Sequence, residues 1–452
     1  MTPVAADDPR LSVLALLRRH GWNTTSFQVL EPGYRYWFGD DACVAYVETG
    51  GAWVAAGAPV CERSRLGAVA AEFVAAARDA GRRAVFFGVE APFVEGGGMP
   101  AFKIGEQPSW DPGRWQDGVA RSRSLREQLR RARAKGVVVR RVDAAELAAG
   151  SPLRVAVDDL VRRWLASRAM APMGFLVDIE PYRFADERRY VAAEVDGRLV
   201  GFLAAVPIYG RAGWLVEDLL RAPLAPNGTT ELCIDFAMRA FAAEGATFAT
   251  LGMVPLAGVD GWLRWIRERA RTLYDFGGLD AFRQKLLPHA RDAIWLAHPP
   301  EVGRTAALRY VLTAFARGSL LRFGGQTLLR GGPRTLGLLA ALLVPWTVML
   351  ALAPGWFPST AVHVAWVAFD LVLATGLFVL AGRYRRRLGL AVAGMTTLDV
   401  VLTALQAFAW NAPRVSGVGE ALVLGIGLLA PCAGAAIAWG AALRHAHLSR
   451  DG

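Results

Sequence analysis

Four apolar stretches, 335–353, 361–380, 390–410 and 421–443, each run 19 to 23 residues with almost no charge. About 20 helical residues cross a hydrocarbon core, and buried helices of a soluble domain rarely follow one another four times with such short connections. The chain is therefore expected to span a membrane four times. This divides its 452 residues in two, because charge is dense as far as Arg334 and sparse beyond it. The first part, roughly 300 residues, is long enough to bury a core of its own.

The connections orient the spans. Arg304, Arg309, Arg317, Arg322, Arg330 and Arg334 precede the first, and 354–360 carries no charge. Arg383, Arg385, Arg386 and Arg387 follow the second, Arg414 and Glu420 the third, Arg444 and Arg450 the fourth. Arginine-rich connections alternate with poor ones, as expected when the rich ones stay in the cytoplasm. Both termini and the soluble part are then cytoplasmic. The opening MTPVAADDPR has no basic stretch followed by an apolar run, so no signal peptide is expected. Asp370 and Asp399 fall inside the second and third stretches, where a carboxylate is either functional or a polar contact between helices. The basic segment 301–334 suits an anionic leaflet; the alternative is a linker helix packed on the soluble part.

The net charge of +11 either orients the spans or, since much of it lies far from them, answers a partner. Such an excess points to nucleic acid, an anionic membrane surface, or both. Cys43, Cys61, Cys233 and Cys432 form no CxxC, and six histidines are scattered, so neither a disulfide framework nor a zinc site is expected.

The soluble part reads as two similar halves. In the first, 43–48 and 52–57 flank a Thr49-Gly50-Gly51 turn, a helix follows over 65–80 with Leu66, Val69, Ala70, Phe73 and Ala77 on one face, Gly81 stops it, and 84–90 is a strand. In the second, 190–195 and 198–208 flank Asp196-Gly197, followed by a strand from Trp214, a helix over 230–244, a stop at Gly245 and a strand at 247–251. The turns at Gly50 and Gly197 lie 147 residues apart and the stops at Gly81 and Gly245 lie 164 apart, which suggests an internal duplication. Hairpin, strand, helix, strand is the order of acetyltransferase-like folds. The expected architecture is α/β, with tandem acetyltransferase-like (GNAT-type) domains over 1–135 and 136–300, a basic amphipathic segment over 301–334 and four transmembrane helices over 335–452.

Between the halves, 121–141 holds eight arginines and one lysine against Glu127 as its one acid. Leu125 and Leu129 at helical spacing form one packed edge. Arg121, Arg123, Arg126, Arg130, Arg131 and Arg133 are left as phosphate-binding candidates, since guanidinium forks match phosphate oxygens two at a time. A solvated helix face is the alternative.

Five motifs occur in order: 103–106 (KIGE), the 121–136 arginine run, 217–231 (EDLLRAPLAPNGTTE), 250–258 (TLGMVPLAG) and 274–288 (YDFGGLDAFRQKLLP). Together they resemble the catalytic domain of lysyl-phosphatidylglycerol synthases, the MprF-type family, over about 11–299. The resemblance implies aminoacyl-tRNA as donor, phosphatidylglycerol or a related anionic lipid as acceptor, a lysyl group in the family's namesake, no cofactor, and a role in resistance to antimicrobial peptides. It departs at Ala257, where the family has Ser, and at 282–286, which reads FRQKL. The family's membrane domain precedes the catalytic part, whereas the four stretches here follow it.

Transfer from an activated ester requires a group that takes a hydroxyl proton and groups that stabilise an oxyanion. Asp218 at a strand end, Arg221 three residues on as a charged partner that keeps it ionised, Glu231 in a first helical turn and Lys285 are the candidate catalytic residues, with Arg283 as a further phosphate ligand. Two other readings stand beside this one. A coenzyme A-dependent acyltransferase would need an Arg/Gln-x-x-Gly-x-Gly/Ala loop, and the clear match, Arg414 to Gly419, lies in an outer connection. A non-catalytic membrane scaffold would rest on Asp370 and Asp399.

Overall fold

The computed structural model describes residues 8–270 and 276–448. Tyr274 and Asp275, Arg450 and the first seven residues lie outside the described residues. The chain divides into a sheet unit, Met1–Trp164 with Pro172–Leu320, and a helical unit, Leu165–Ala171 with Leu321–Gly452.

The sheet unit is built on twelve strands among the described residues: β1 (Arg35–Gly39), β2 (Ala42–Glu48), β3 (Ala52–Ala56), β4 (Arg83–Val89), β5 (Ala101–Trp110), β6 (Val138–Val142), β7 (Arg189–Val195), β8 (Arg198–Ile208), β9 (Gly213–Arg221), β10 (Phe248–Thr250), β11 (Val254–Pro255) and β12 (Ala290–Ala297). They form one sheet in the order β1-β2-β3-β4-β12-β5-β10-β9-β8-β7-β6, with β11 paired to β5. Local chemistry sets the turns. The Thr49 N–H donates to Ala52 O at 2.9 Å across the first hairpin. Asp196 and Gly197 both take positive φ, 49° and 74°, the turn whose twist matches paired strands.

Each half contains one parallel pair closed by a helix. β3 and β4 run parallel around the helix Leu66–Asp79, and β9 and β10 run parallel around the helix Thr229–Ala243. The helix Leu66–Asp79 buries Leu66, Val69, Ala70, Phe73 and Ala77, the face its spacing predicts. Phe73 sits 5.5 Å from the Tyr46 ring, 5.6 Å from Trp53 and 5.5 Å from Phe86. Burying one such side chain contributes about 1.5–3 kcal/mol.

The parallel pairs also revise the alignment of the halves. β1 is the strand missing from the first half as read from sequence, so the triplet β1-β2-β3 corresponds to β7-β8-β9. The β2–β3 hairpin then matches β8–β9, not β7–β8, and the 147-residue spacing joined non-equivalent turns. The halves also exchange strands: β12, from the second, lies between β4 and β5, and β5, from the first, lies between β12 and β10.

The basic segment expected as one piece over 301–334 is two helices. Arg304–Phe315 buries Ala307, Val311 and Ala314 in the core of the sheet unit, while Leu320–Leu329 belongs from Leu321 onward to the helical unit. Arg317 and Gly318, at φ 51° and 90°, end the first helix.

In the helical unit, Pro333–Ala351, Thr360–Gly382, Arg386–Arg414 and Val418–Ala446 are long and apolar enough to span a membrane. Leu336, Ala340, Leu373, Leu377, Val392, Ile437 and Ala441 pack between them. Asp370 and Asp399 are buried in this bundle. Thr347 Oγ1 donates to Asp370 Oδ2 at 3.4 Å, and Thr403 Oγ1 to Asp399 Oδ1 at 3.1 Å.

Candidate active site

β9 carries Glu217, Asp218 and Arg221. Opposite it on β8, Ala204 pairs with Asp218 and Ala205 with Val216, so Glu217 is an extra residue, a bulge. The parallel register with β10 ends at Leu215 opposite Thr250, just before the bulge. The parallel pairing therefore stops just before the acids.

Glu217 and Asp218 are buried with Glu31, and Glu217 is ion-paired to the buried Arg188. Asp218 Oδ2, Glu217 Oε1 and Glu31 Oε1 have no hydrogen-bond partner among the described residues. Burial pushes the Asp218 carboxyl well above its ordinary value; Glu217 adds to this and Arg188 opposes it. Glu31 is raised in the same way, by burial and then by Glu217. Three carboxyls thus lie near one guanidinium, which favours the neutral form of Asp218 and of Glu31.

This corrects the expectation that Arg221 keeps Asp218 ionised. Side chains alternate along a strand, and an offset of three puts two residues on opposite faces. Asp218 shares its face with Leu220, which packs with Tyr190, Phe202 and Leu160. Arg221 follows Leu219 on the other face, the one covered by Leu232 and Ile234 of the helix Thr229–Ala243. There its Nη2 donates to Ala225 O at 2.9 Å and to Asn227 Oδ1 at 3.4 Å, tying down the loop that feeds this helix.

Glu231 and Lys285 do meet, on the same face as Arg221. Lys285 Nζ, at the end of the helix Phe276–Lys285, donates to Glu231 Oε1 at 2.6 Å. Glu231 is buried in the first turn of its helix and Lys285 is partly exposed. The indole of Trp110 donates to Leu286 O at 2.8 Å and steadies the residue that follows Lys285. Arg283 is a second correction. It is buried, and its guanidinium donates to the carbonyls of Leu251 and Gly252, so it braces the 250–258 motif instead of presenting a fork to phosphate.

The arginine run forms a helix, Arg123–Ala134, capped by Ser122 Oγ, which accepts from Leu125 N at 3.2 Å; Leu125, Leu129 and Ala132 face inward. Arg121, Arg123, Arg126, Arg130, Arg131 and Arg133 are exposed. They are not all unpaired. Arg130 and Arg131 share Glu127 at 2.8 and 2.9 Å and hold its carboxyl down to about 2; Arg126 donates to Val119 O, and Arg133 reaches Asp235 at 3.3 Å. This helix touches the turn that starts the Glu231 helix. Gly228 takes φ 94°, and a Cβ there would lie 2.3 Å from Gln128 O, so no other residue fits.

The KIGE motif builds a separate network. Glu106 joins Lys103 at 2.8 Å and Arg291 at 3.1 Å, and Arg291 joins Asp280. A Cβ on Gly258 would fall 1.9 Å from Glu106 Oε1, so the glycine after Ala257 lets this carboxylate approach the loop. Sequence reasoning missed Glu31, Arg188, Asp280 and Arg291 as partners. Their partners lie elsewhere in the chain, so only the folded sheet joins them.

Comparison with known proteins identifies the family. A family model described as phosphatidylglycerol lysyltransferase, C-terminal, matches residues 14–298. No curated protein matches the chain. Among solved structures, the C-terminal domain of a putative lysylphosphatidylglycerol synthetase from Agrobacterium fabrum is similar at 20% identity and a TM-score of 0.58, covering 69% of this chain and 99% of that one. L-PGS from Bacillus licheniformis is similar at 20% identity and 0.57, covering 69% and 97%. At that identity the two structures establish a shared fold. The family match spans more than half of the chain: the chain belongs to the phosphatidylglycerol lysyltransferase C-terminal family of aminoacyltransferases, its matched part followed by four apolar helices.

Proposed function

We propose that the protein moves an aminoacyl group from aminoacyl-tRNA to phosphatidylglycerol or a related anionic lipid at the cytoplasmic face of the membrane. The observation that carries this reading is the contact between the arginine helix and the Gly228 turn that begins the Glu231 helix. It supports a donor whose phosphates lie along Arg121, Arg123, Arg126, Arg130, Arg131 and Arg133 while its acylated end reaches Glu231 and Lys285. Exposed arginine pairs such as those on Glu127 are weak and exchange readily for phosphate. The alternation of arginine-rich and arginine-poor connections supports the cytoplasmic placement of the sheet unit and both termini.

An aminoacyl ester is already activated, so transfer exchanges one hydroxyl for another. Glu231 takes the proton of the lipid hydroxyl as its oxygen bonds to the ester carbonyl carbon. The Lys285 ammonium faces the charge that builds on the carbonyl oxygen. The bond to the ribose oxygen then breaks, and the proton passes to that oxygen. Arg221 acts as a positioning residue through the 222–228 loop, and Asp218 stands beside the β9 bulge on the opposite face. A headgroup that gains an amine loses net negative charge, so the membrane attracts cationic peptides less.

The test is mass spectrometry of lipids from cells with and without the protein, followed by reconstitution with purified substrates. The expected product is phosphatidylglycerol heavier by one amino-acid residue, formed with charged tRNA and lost when the tRNA is first hydrolysed. Product formed from a coenzyme A thioester in place of charged tRNA would overturn the donor.

A further inference from the structure

The helix Gly261–Ala270 has no part in the chemistry above, yet it shows water an unusual face. Leu263 is buried, and Arg267 turns inward to Asp280 at 3.9 Å, so positions 263 and 267 seat the helix on the sheet unit. Trp262, Trp265 and Arg269 fall at i, i+3 and i+7 on another face. Trp262 is 38% exposed and Trp265 56% exposed. The Arg269 guanidinium lies 4.7 Å from the centre of the Trp265 ring. Arg264 is also exposed, so the helix carries three arginines against one acid, Glu268.

Trp262 leans on Phe102, with ring centres 6.2 Å apart, yet it and Trp265 together leave a large part of two indoles in water on a ten-residue helix, a surface with its partner missing. Indole rings settle where one end is apolar and the other wet, the level of lipid headgroups, and arginines beside them answer anionic phosphates. A bilayer is also always within reach. The spans tether the sheet unit to one, so the second contact is intramolecular and a shallow insertion suffices.

We propose that Gly261–Ala270 is an interfacial docking helix, which inserts Trp262 and Trp265 among the headgroups of an anionic bilayer with Arg264 and Arg269 on the phosphates. Arg267 and Asp280 link it to the Arg291–Glu106–Lys103 network, so docking is felt at the 250–258 loop. The inference rests on the helix face and the spans, not on aminoacyl transfer.

The test uses the full chain in nanodiscs containing brominated phosphatidylglycerol, brominated phosphatidylcholine, or neither. Bromine quenches nearby indoles, and the difference between wild type and the Trp262→Phe/Trp265→Phe variant isolates the two in question, since tryptophans of the spans are common to both. The difference signal is expected to fall at least about twofold in brominated phosphatidylglycerol and less in brominated phosphatidylcholine. In Arg264→Gln/Arg269→Gln, which keeps both indoles, the lipid preference is expected to vanish. An unquenched difference signal in both lipids overturns the proposal. Equal quenching in the two lipids overturns its anionic part, and quenching by added tRNA in unbrominated discs reassigns the face to nucleic acid. None of these readouts depends on catalysis, so they stand apart from the outcome of the transfer assay.

Discussion

Asp218→Asn replaces a buried carboxyl, pushed toward its neutral form, with an amide of nearly the same shape. The folded carboxyl is raised above its ordinary value of 3.8, and Glu31 is raised above 4.5. Between those ordinary values and the raised folded ones, the unfolded chain has released both protons while the folded chain still holds them. Stability is therefore fully present in acid and falls as the pH climbs toward the folded values. Each retained proton contributes a slope of about −1.4 kcal/mol per pH unit. For a unit of roughly 300 residues that is about 2 °C of melting temperature per pH unit. The assay is thermal unfolding of the full chain in detergent from pH 5 to pH 8. The helical unit is common to both proteins, so the difference at each pH isolates the sheet unit. Asp218→Asn should remove one proton's share of the slope, Glu31→Gln a similar share, and the double variant should be flatter than either. A variant that keeps the wild-type slope would show that Asp218 is ionised in the fold and would refute the three-carboxyl argument.

Replacing Arg126, Arg130, Arg131 and Arg133 with glutamine should weaken tRNA or anionic-lipid binding and reduce its salt slope by up to about four units; an unchanged slope leaves the helix as a solvated face. Glu231→Gln and Lys285→Met should each lower transfer about 100-fold or more with the melting temperature nearly unchanged, and near-normal rates in both would move the chemistry elsewhere. Arg221→Ala should also cost about 100-fold, by loosening the 222–228 loop, and a rate within a few-fold of wild type would remove its positioning role. For topology, in a Cys432→Ala background the other native thiols are buried. A cysteine at Gly355, where a Cβ meets open space, should label from outside with an impermeant reagent, and one at exposed Arg385 should not. The reverse pattern would place the sheet unit away from tRNA.

Local chemistry made much of the fold legible. The apolar lengths gave the span helices to within a few residues apart from the third, which continues through an irregular turn to Arg414. The helix faces and the Asp196-Gly197 turn follow from period and propensity. The exchange of β5 and β12 was out of reach, because nothing in either strand names a neighbour from the other half of the chain. The site was half legible for the same reason. Glu231 and Lys285 come from separate motifs and meet in space. Asp218 and Arg221, three apart, looked like partners until strand alternation separated them, a rule readable in sequence once 213–221 is taken as a strand. Arg283 looked like a cation for phosphate, and its burial against two carbonyls could not be seen from its neighbours.

The exchanged strands set an order of events during synthesis. β5 is complete at Trp110, but its neighbour on one side, β12, begins only at Ala290. At ordinary rates of translation the gap lasts on the order of 10 s. Through that time β4 and β5 each have an unpaired edge, which invites pairing with another chain. When β12 emerges, the first span follows from Pro333, so closing the sheet and delivering the spans to the membrane occupy nearly the same interval. A chain cut after the first half would lack the strand that closes its own sheet, and is expected to aggregate instead of folding as a smaller domain.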